Sequence, residues 1–364
     1  MSVLSATATT ITPFTGLMAS RLGEDYIKSI VFGTKTIATL ADGHGAYGRL
    51  AASFACENVV KMLNDGVERN LHPDEVASLL CRFFVTTNEE LREQIGVAKG
   101  VTKGGAVLTT VVTGSYSERD YIVFANVGDA DACIISQMAD ATYTTQTCTI
   151  SHGAENISEQ QRLLFGNFPV ECMFASKDPD TFYPINDEDG NAIDYSFKEG
   201  KNVEDALVAY HTSLKEDQAN STARANEWKA LNKIYKASPH YATHSLLVYS
   251  TASREKHSTY IVGKEDDERL QITRSIGDFQ AEQLGVISTP DLNVVWVDEL
   301  PMVEKRCVFV ASDGVHDCFT KNKLAELVMT VESDEELLGL FVEESKKLFG
   351  GSQHDDISFL RKFI

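Results

Sequence analysis

Apolar positions along the chain follow two rhythms, β-rich runs and helical spacing. Strand-like sequence follows Arg21-Leu22-Gly23-Glu24-Asp25-Tyr26 and runs to Ala41, within the stretch Thr36-Ile37-Ala38-Thr39-Leu40-Ala41-Asp42-Gly43-His44-Gly45. This apolar run is expected to end at its acid. Over residues 46–64 the spacing becomes helical, with Leu50, Phe54, Val59 and Leu63 as the apolar face and Asn64-Asp65-Gly66 as the stop. A second helix is predicted from Pro73-Asp74-Glu75, with proline in its first turn and acids favoured by the helix dipole. Val76, Leu79, Leu80, Phe83, Phe84 and Leu91 carry it towards Ile95. Strands are predicted over 106–113 and 121–127 on either side of a polar turn at 115–120. Residues 131–136 read as the hairpin partner of the second, 143–150 as a Thr-rich strand, and 158–164 as a short helix.

After about Pro169 the character changes. Residues 176–204 are polar and acidic and read as a solvated loop. Residues 202–238 are helix-prone, and Trp228, Leu231, Ile234 and Tyr235 form a narrow apolar stripe suited to packing on the parent domain. The last third is regular again. A buried-type strand over 306–311 leads into Ser312-Asp313-Gly314-Val315-His316-Asp317. Helices are predicted over 321–329 after the N-cap Thr320, and over 335–349, where Ser333 and Glu336 have capping-box spacing. Gly350-Gly351 ends the second, and 357–364 forms a terminal strand. Residues 1–19 are Ser/Thr-rich and read as an edge strand or a loose arm.

The chain has 364 residues, enough for one large domain or two ordinary ones, and a hydrophobic content of 43% supplies a sizeable core. A net charge of −20 argues against nucleic acid or an anionic membrane as a main partner. The seven cysteines are odd in number, scattered and without a CxxC pair, as expected of free thiols in a reducing compartment. The N-terminus lacks the basic flank and apolar centre of a signal peptide, and no apolar run is long enough to span a bilayer. An intracellular, cytoplasmic protein is expected.

The candidate chemistry lies in the acids. Asp42 and Asp313 each close an apolar strand and precede a glycine, Asp355 precedes the terminal strand, and Asp25 opens the segment before Asp42. Strand termini gathered at one sheet edge would bring these acids together. Carboxylates so placed repel unless cations neutralise them, and two divalent ions would do so while activating water. Gly43 and Gly45 let backbone carbonyls approach an ion, and His44 can exchange protons near neutrality. Asp-Gly is also a common turn pair, so the set carries the inference and no single acid does.

With these residues in view, the chain resembles the metal-dependent serine/threonine protein phosphatases of the 2C type. The matching segments, in family order, are Glu24-Asp25, Asp42-Gly43-His44-Gly45 and Ala125-Asn126-Val127-Gly128-Asp129. Thr149-Ile150-Ser151-His152 follows, with Glu159 and Arg162, and then Thr273-Arg274-Ser275-Ile276-Gly277-Asp278. Ala311-Ser312-Asp313-Gly314-Val315-His316-Asp317 and Asp355-Asp356-Ile357-Ser358 complete the series. The resemblance implies an α+β fold, a sandwich of two antiparallel β-sheets flanked by pairs of helices, in one phosphatase domain over 1–364. It implies Mg²⁺ or Mn²⁺ held by Asp25, Asp42, Asp313 and Asp355 with the Gly43 carbonyl, a water between two ions as nucleophile, and phosphorylated proteins as substrates. Arg21 would hold the phosphate and His44 would protonate the leaving serine or threonine oxygen.

The chain also departs from the family pattern. Arg21 stands one residue closer to the ligand acid than usual. Ser151 replaces an aspartate that helps bind a third metal, while its companion Asp317 is present, so the third site is weakened. Gly104-Gly105-Ala106-Val107-Leu108 replaces a hydroxyl-rich run, and Asp356 replaces an asparagine and adds charge. About 110 residues separate Arg162 from Arg274, several times the family's spacing, which marks 170–270 as an insertion or extended flap that gates substrate or binds a regulator. The rival reading is a catalytically weak pseudophosphatase that acts as a binding module through this insertion.

Overall fold

The structure is a computed structural model that describes residues 12–20, 22–66, 71–96, 104–154, 156, 158–159, 162–163, 170–175, 182–183, 245–250, 258–262, 269–353 and 355–364. In chain order its strands and helices begin with β1 (Met18–Ala19), β2 (Tyr26–Phe32), β3 (Lys35–His44), α1 (Gly48–Gly66) and α2 (Pro73–Leu91). Then come β4 (Gly105–Tyr116), β5 (Arg119–Val127), β6 (Asp131–Gln137), β7 (Tyr143–Thr147), β8 (Val170–Ala175), β9 (Phe182–Tyr183), β10 (Ser245–Ser250), β11 (Ser258–Val262) and β12 (Arg269–Leu270). The last are β13 (Ile276–Gly277), β14 (Asp291–Trp296), β15 (Lys305–Ala311), α3 (Asp313–His316), α4 (Lys321–Thr330), α5 (Asp334–Leu348) and β16 (Ile357–Phe363). The chain divides into two compact units, one of 1–151, 275–277 and 288–364, the other of 152–274 and 278–287.

The first unit holds two antiparallel sheets, in the orders β14-β5-β4-β3-β2, with β13 on β4, and β1-β16-β15-β6-β7. This is the expected α+β arrangement, because each sheet carries its own helix pair. On the first sheet α1 packs over β2, β3 and β4, and α2 over β5 and β14. The buried face of α1 is Ala51, Ala52, Ala55, Cys56, Val59, Val60 and Leu63, whereas Leu50 is 47% exposed. Small side chains in its first half let the helix press onto the sheet, which is why the face is rotated from the one expected. On the second sheet Leu324, Val328, Leu337 and Phe341 of α4 and α5 meet Cys133, Cys307, Phe309, Ile357 and Phe359 in one buried cluster. Between the sheets, Lys362 of β16 donates from Nζ to Thr36 Oγ1 and Thr113 Oγ1, each at 2.9 Å, and so ties the layers together.

Several elements differ from the sequence reading. The segment before Asp42 is a hairpin, β2 turning at Gly33-Thr34 into β3. β6 pairs with β15 and β7 rather than with β5, whose partners are β4 and β14. The short link between β5 and β6 crosses from one sheet to the other, a step that hydrophobic periodicity does not encode. Strand β14, Asp-Leu-Asn-Val-Val-Trp, was not expected.

The second unit contains a third sheet, ordered β12-β11-β10-β8-β9, in which β8 and β10 run parallel and the other pairs antiparallel. The predicted helix over 202–238, with its apolar stripe, lies outside the described residues. Among the described residues no helix is long and apolar enough to cross a membrane.

Candidate active site

Strand register gathers the acids of the first unit at one end of its two sheets. Tyr26 pairs with Ala41 and Asp42 with Val107, so Asp25, just before β2, comes opposite Asp42 near the end of β3. Leu108 pairs with Val127, which brings Asp129, just past β5, to the same edge. On the facing sheet Ala311 pairs with both Asp131 and Phe359. Asp313 and Asp355, flanking those strands, therefore stand at that end too. Asp42 is not the last residue of its strand, since β3 continues through Gly43 and His44. Asp313 does not end β15 either; it is the first residue of α3, with Ser312 at the N-cap position.

Two glycines make the close approach possible. A Cβ on Gly43 would overlap the Gly48 carbonyl and lie 2.7 Å from the Glu24 oxygen. A Cβ on Gly314 would overlap the Asp356 carbonyl oxygen. Around them the backbone is held by side chains. The Asp356 carboxylate accepts the amides of Leu22 and Glu24, each at 2.7 Å, and of Asp25 at 3.3 Å. Its own amide donates to Asp355 Oδ1 at 2.8 Å. The Ser358 hydroxyl donates to Asp25 Oδ2, and the Ser358 amide to Ser312 Oγ at 3.1 Å. These bonds join the two sheets at the site.

The electrostatics are those of crowded like charges. Burial, opposed by hydrogen bonds from Ser358 and Asp42 and reinforced by Asp356 and Asp355, pushes the Asp25 carboxyl up to about 6. Burial raises Asp42 well above the ordinary range, with Asp25, Asp313, Asp129 and Asp355 adding to it. Asp313 is raised likewise by burial and then by Asp129, Asp355 and Asp317, against a hydrogen bond with Asp42. Asp42 thus lies among the charges of Asp25, Asp313, Asp129 and Asp355. Glu24, raised by burial and by Asp356, is eased by His44 beside it.

Two oxygens at the centre, Asp25 Oδ1 and Asp313 Oδ1, are buried without a hydrogen-bond partner among the described residues. Such atoms normally find one, and an all-oxygen donor set with spare lone pairs fits a hard divalent cation such as Mg²⁺ or Mn²⁺. Among the described residues, no three potential ligands are already arranged around a common metal position.

Residues 251–347 match the family model described as Protein phosphatase 2C. The fold agrees. Serine-threonine phosphatase 2C from Toxoplasma gondii superposes with a TM-score of 0.59 at 13% identity, over 98% of this chain and 96% of that one. Over those residues the chain is similar to protein phosphatase 2C, and along its length it shares the fold of solved serine/threonine phosphatases. The S. agalactiae serine/threonine phosphatase aligns with a TM-score of 0.50 and 16% identity over 96% of this chain and 98% of that one. A C. elegans sex determining protein aligns with a TM-score of 0.54 and 14% identity over 98% of this chain and 65% of that one. No curated protein sequence matches.

In the first unit, the structure brings Asp25, Asp42, Gly43, Asp313, Asp317 and Asp355 into one neighbourhood, with His44 half-buried at the end of β3. Arg21 lies outside the described residues. Sequence reasoning gave no role to Asp129, whose charge acts most strongly on Asp313 after burial. Its signal was available, since Val127-Gly128-Asp129 follows a strand with the same glycine–acid grammar as the other sites. Asp356 was read as added charge near the metals. It does raise its neighbours, but its larger part is to accept the amides that fix the 22–25 segment.

The second unit holds a further charged cluster, around Glu159. Glu159 accepts from Arg274 Nη2 at 2.6 Å, Arg162 Nη2 at 2.8 Å and Thr273 Oγ1 at 2.6 Å. Burial would raise this carboxylate, but the bonds from Arg274, Arg162 and Thr273 outweigh it and hold it at about 2.

Proposed function

We propose that this chain hydrolyses phosphoserine and phosphothreonine in proteins with the help of divalent metal ions. The observation that carries the reading is the pair of buried, unpartnered carboxylate oxygens on Asp25 and Asp313, inside a cluster whose charges repel. Asp25, Asp42, Asp313, Asp355 and the Gly43 carbonyl would hold two ions, Mg²⁺ or Mn²⁺, and Asp317 would serve a third site weakened by Ser151. Bound there, the ions would offset the carboxylate charge, draw in the phosphate and lower the pKa of water.

The chain's own residues account for the rest. Ser358 fixes the Asp25 carboxylate through its hydroxyl hydrogen bond, and Asp356 fixes the backbone beneath it. His44, at the edge of the site, donates its proton to the serine or threonine oxygen as the phosphorus–oxygen bond breaks and a water oxygen bonds to phosphorus. Arg21 would grip the phosphate as a guanidinium fork. Residues 170–270 act as an insertion within a single phosphatase domain and as the place where a regulator binds. The cysteines, free where described, support an intracellular, cytoplasmic location.

The absence of an aspartate at 151 favours one second reading, a pseudophosphatase that binds rather than turns over. Hydrolysis of a phosphothreonine peptide with Mn²⁺, with Mg²⁺ and with EDTA, alongside Asp42→Asn, separates the two. Metal-dependent phosphate release absent from the variant is expected. No release with either metal from protein that still binds Mn²⁺ would favour the pseudophosphatase.

A further inference from the structure

We propose that Arg49, in the first turn of α1, is a phosphate-binding residue at the rim of this site, distinct from Arg21. Backbone packing places it there from two sides. The start of α1 rests on the site because the Gly48 carbonyl sits against Gly43, between Asp42 and His44. Its guanidinium reaches the other acid-bearing segment, since a Cβ built on Gly23 would lie 3.3 Å from Arg49 Nη1. Gly23 belongs to the stretch whose neighbouring amides at Leu22, Glu24 and Asp25 are held by Asp356. Arg49 therefore sits over the loop that delivers Asp25.

The state of its charge points to a ligand. Among the described residues Arg119, Arg162, Arg274 and Arg361 each have a carboxylate partner, and Arg306 bonds Ser136 and Pro301. Among the described residues, exposed Arg49 has no ion pair and no hydrogen bond. In a chain of net charge −20, an arginine left unpaired beside a carboxylate cluster keeps all its donors for an anion that arrives from solution. A phosphate monoester dianion, drawn in by cations in the cluster, presents the oxygens that a guanidinium fork matches.

The inference rests on the phosphatase reading for the identity of its ligand, so the test reads binding as well as turnover. Inorganic phosphate and a phosphothreonine peptide are titrated calorimetrically into the full Mn²⁺-loaded chain as wild type, Arg49→Lys, Arg49→Ala and Arg21→Ala, with steady-state kinetics in parallel. For Arg49→Ala, phosphate affinity is expected to fall and KM to rise by about tenfold, with kcat within about twofold and the melting temperature unchanged. Arg49→Lys falls between, because it keeps the charge and loses the fork. Unchanged phosphate affinity and KM in Arg49→Ala overturn the assignment, most clearly if Arg21→Ala loses both. A wild type that binds phosphate through Arg49 but hydrolyses no peptide would sink the phosphatase reading and leave Arg49 in place.

Discussion

Burial and the charges of Asp25 and Asp313 bear most heavily on Asp42, so its charge is the one most needed by a cation and most resisted by the protein without one. Two effects of Asp42→Asn follow from that position and have opposite signs. Metal-dependent hydrolysis should fall by more than about a hundredfold, beyond what loss of a merely supporting residue costs. In EDTA the same variant should melt at a higher temperature than wild type, because a neutral amide ends the repulsion. Calorimetry with and without Mn²⁺ reads both states, and a variant that melts lower in EDTA would show that the carboxylates do not repel in the folded chain. His44 answers to a different test. His44→Ala should slow a phosphothreonine peptide far more than an aryl phosphate, whose leaving group needs little protonation, and equal losses would remove its role as a proton donor.

At the scale of elements, the site is held by the meeting of one segment's amides with another's carboxylate. Asp356 accepts the amides at 22, 24 and 25, and amide bonds to a charged group are worth about 1.5–3 kcal/mol each. Asp356→Ala should cost several kcal/mol of stability and weaken Mn²⁺ binding, both visible in denaturant titrations with and without the metal. A variant with wild-type midpoints in both would show that the 22–25 segment is held by something else. None of this was legible from the sequence, where Asp356 is 332 positions from Glu24 and reads only as a charge. What was legible is what local rules encode. Thr320 and Ser333 cap α4 and α5 as their spacing predicts, and Pro73 opens α2. The acids at strand ends were legible as a class, but α3 beginning at Asp313 was not, because a one-turn helix leaves no periodicity.

At the scale of the molecule, the strands and helices of the first unit follow from β-rich runs and helical spacing, their arrangement as helix-flanked sheets follows only from the family resemblance, and the third sheet follows from neither. β8 and β10 pair in parallel across 69 intervening residues, and no period in the sequence announces such a partner. Because every strand of the two antiparallel sheets lies in the first unit, deletion of 178–264 should leave a cooperatively unfolding core, and loss of cooperativity would assign the segment to that core. The acid cluster then sets how the whole chain responds to pH. Asp25 ionises near 3.8 when unfolded and near 6 when folded, so between those values the folded chain binds the extra proton. Stability contributed by that proton is complete below about pH 4 and is lost as pH rises through about 6, on the order of 3 kcal/mol for Asp25 alone. Asp42 and Asp313, raised in the same direction, add to the loss. Glu159 acts oppositely, its contribution being present above about 4.5 and lost only as pH falls towards about 2, so it does not mask the window. In EDTA the melting temperature should therefore decline from about pH 4 to beyond pH 6. With saturating Mn²⁺ the decline should disappear, because the cation replaces the proton, and metal affinity should climb over the same interval. Parallel melting curves with and without Mn²⁺ across that range would mean that these carboxylates are not where the metal binds.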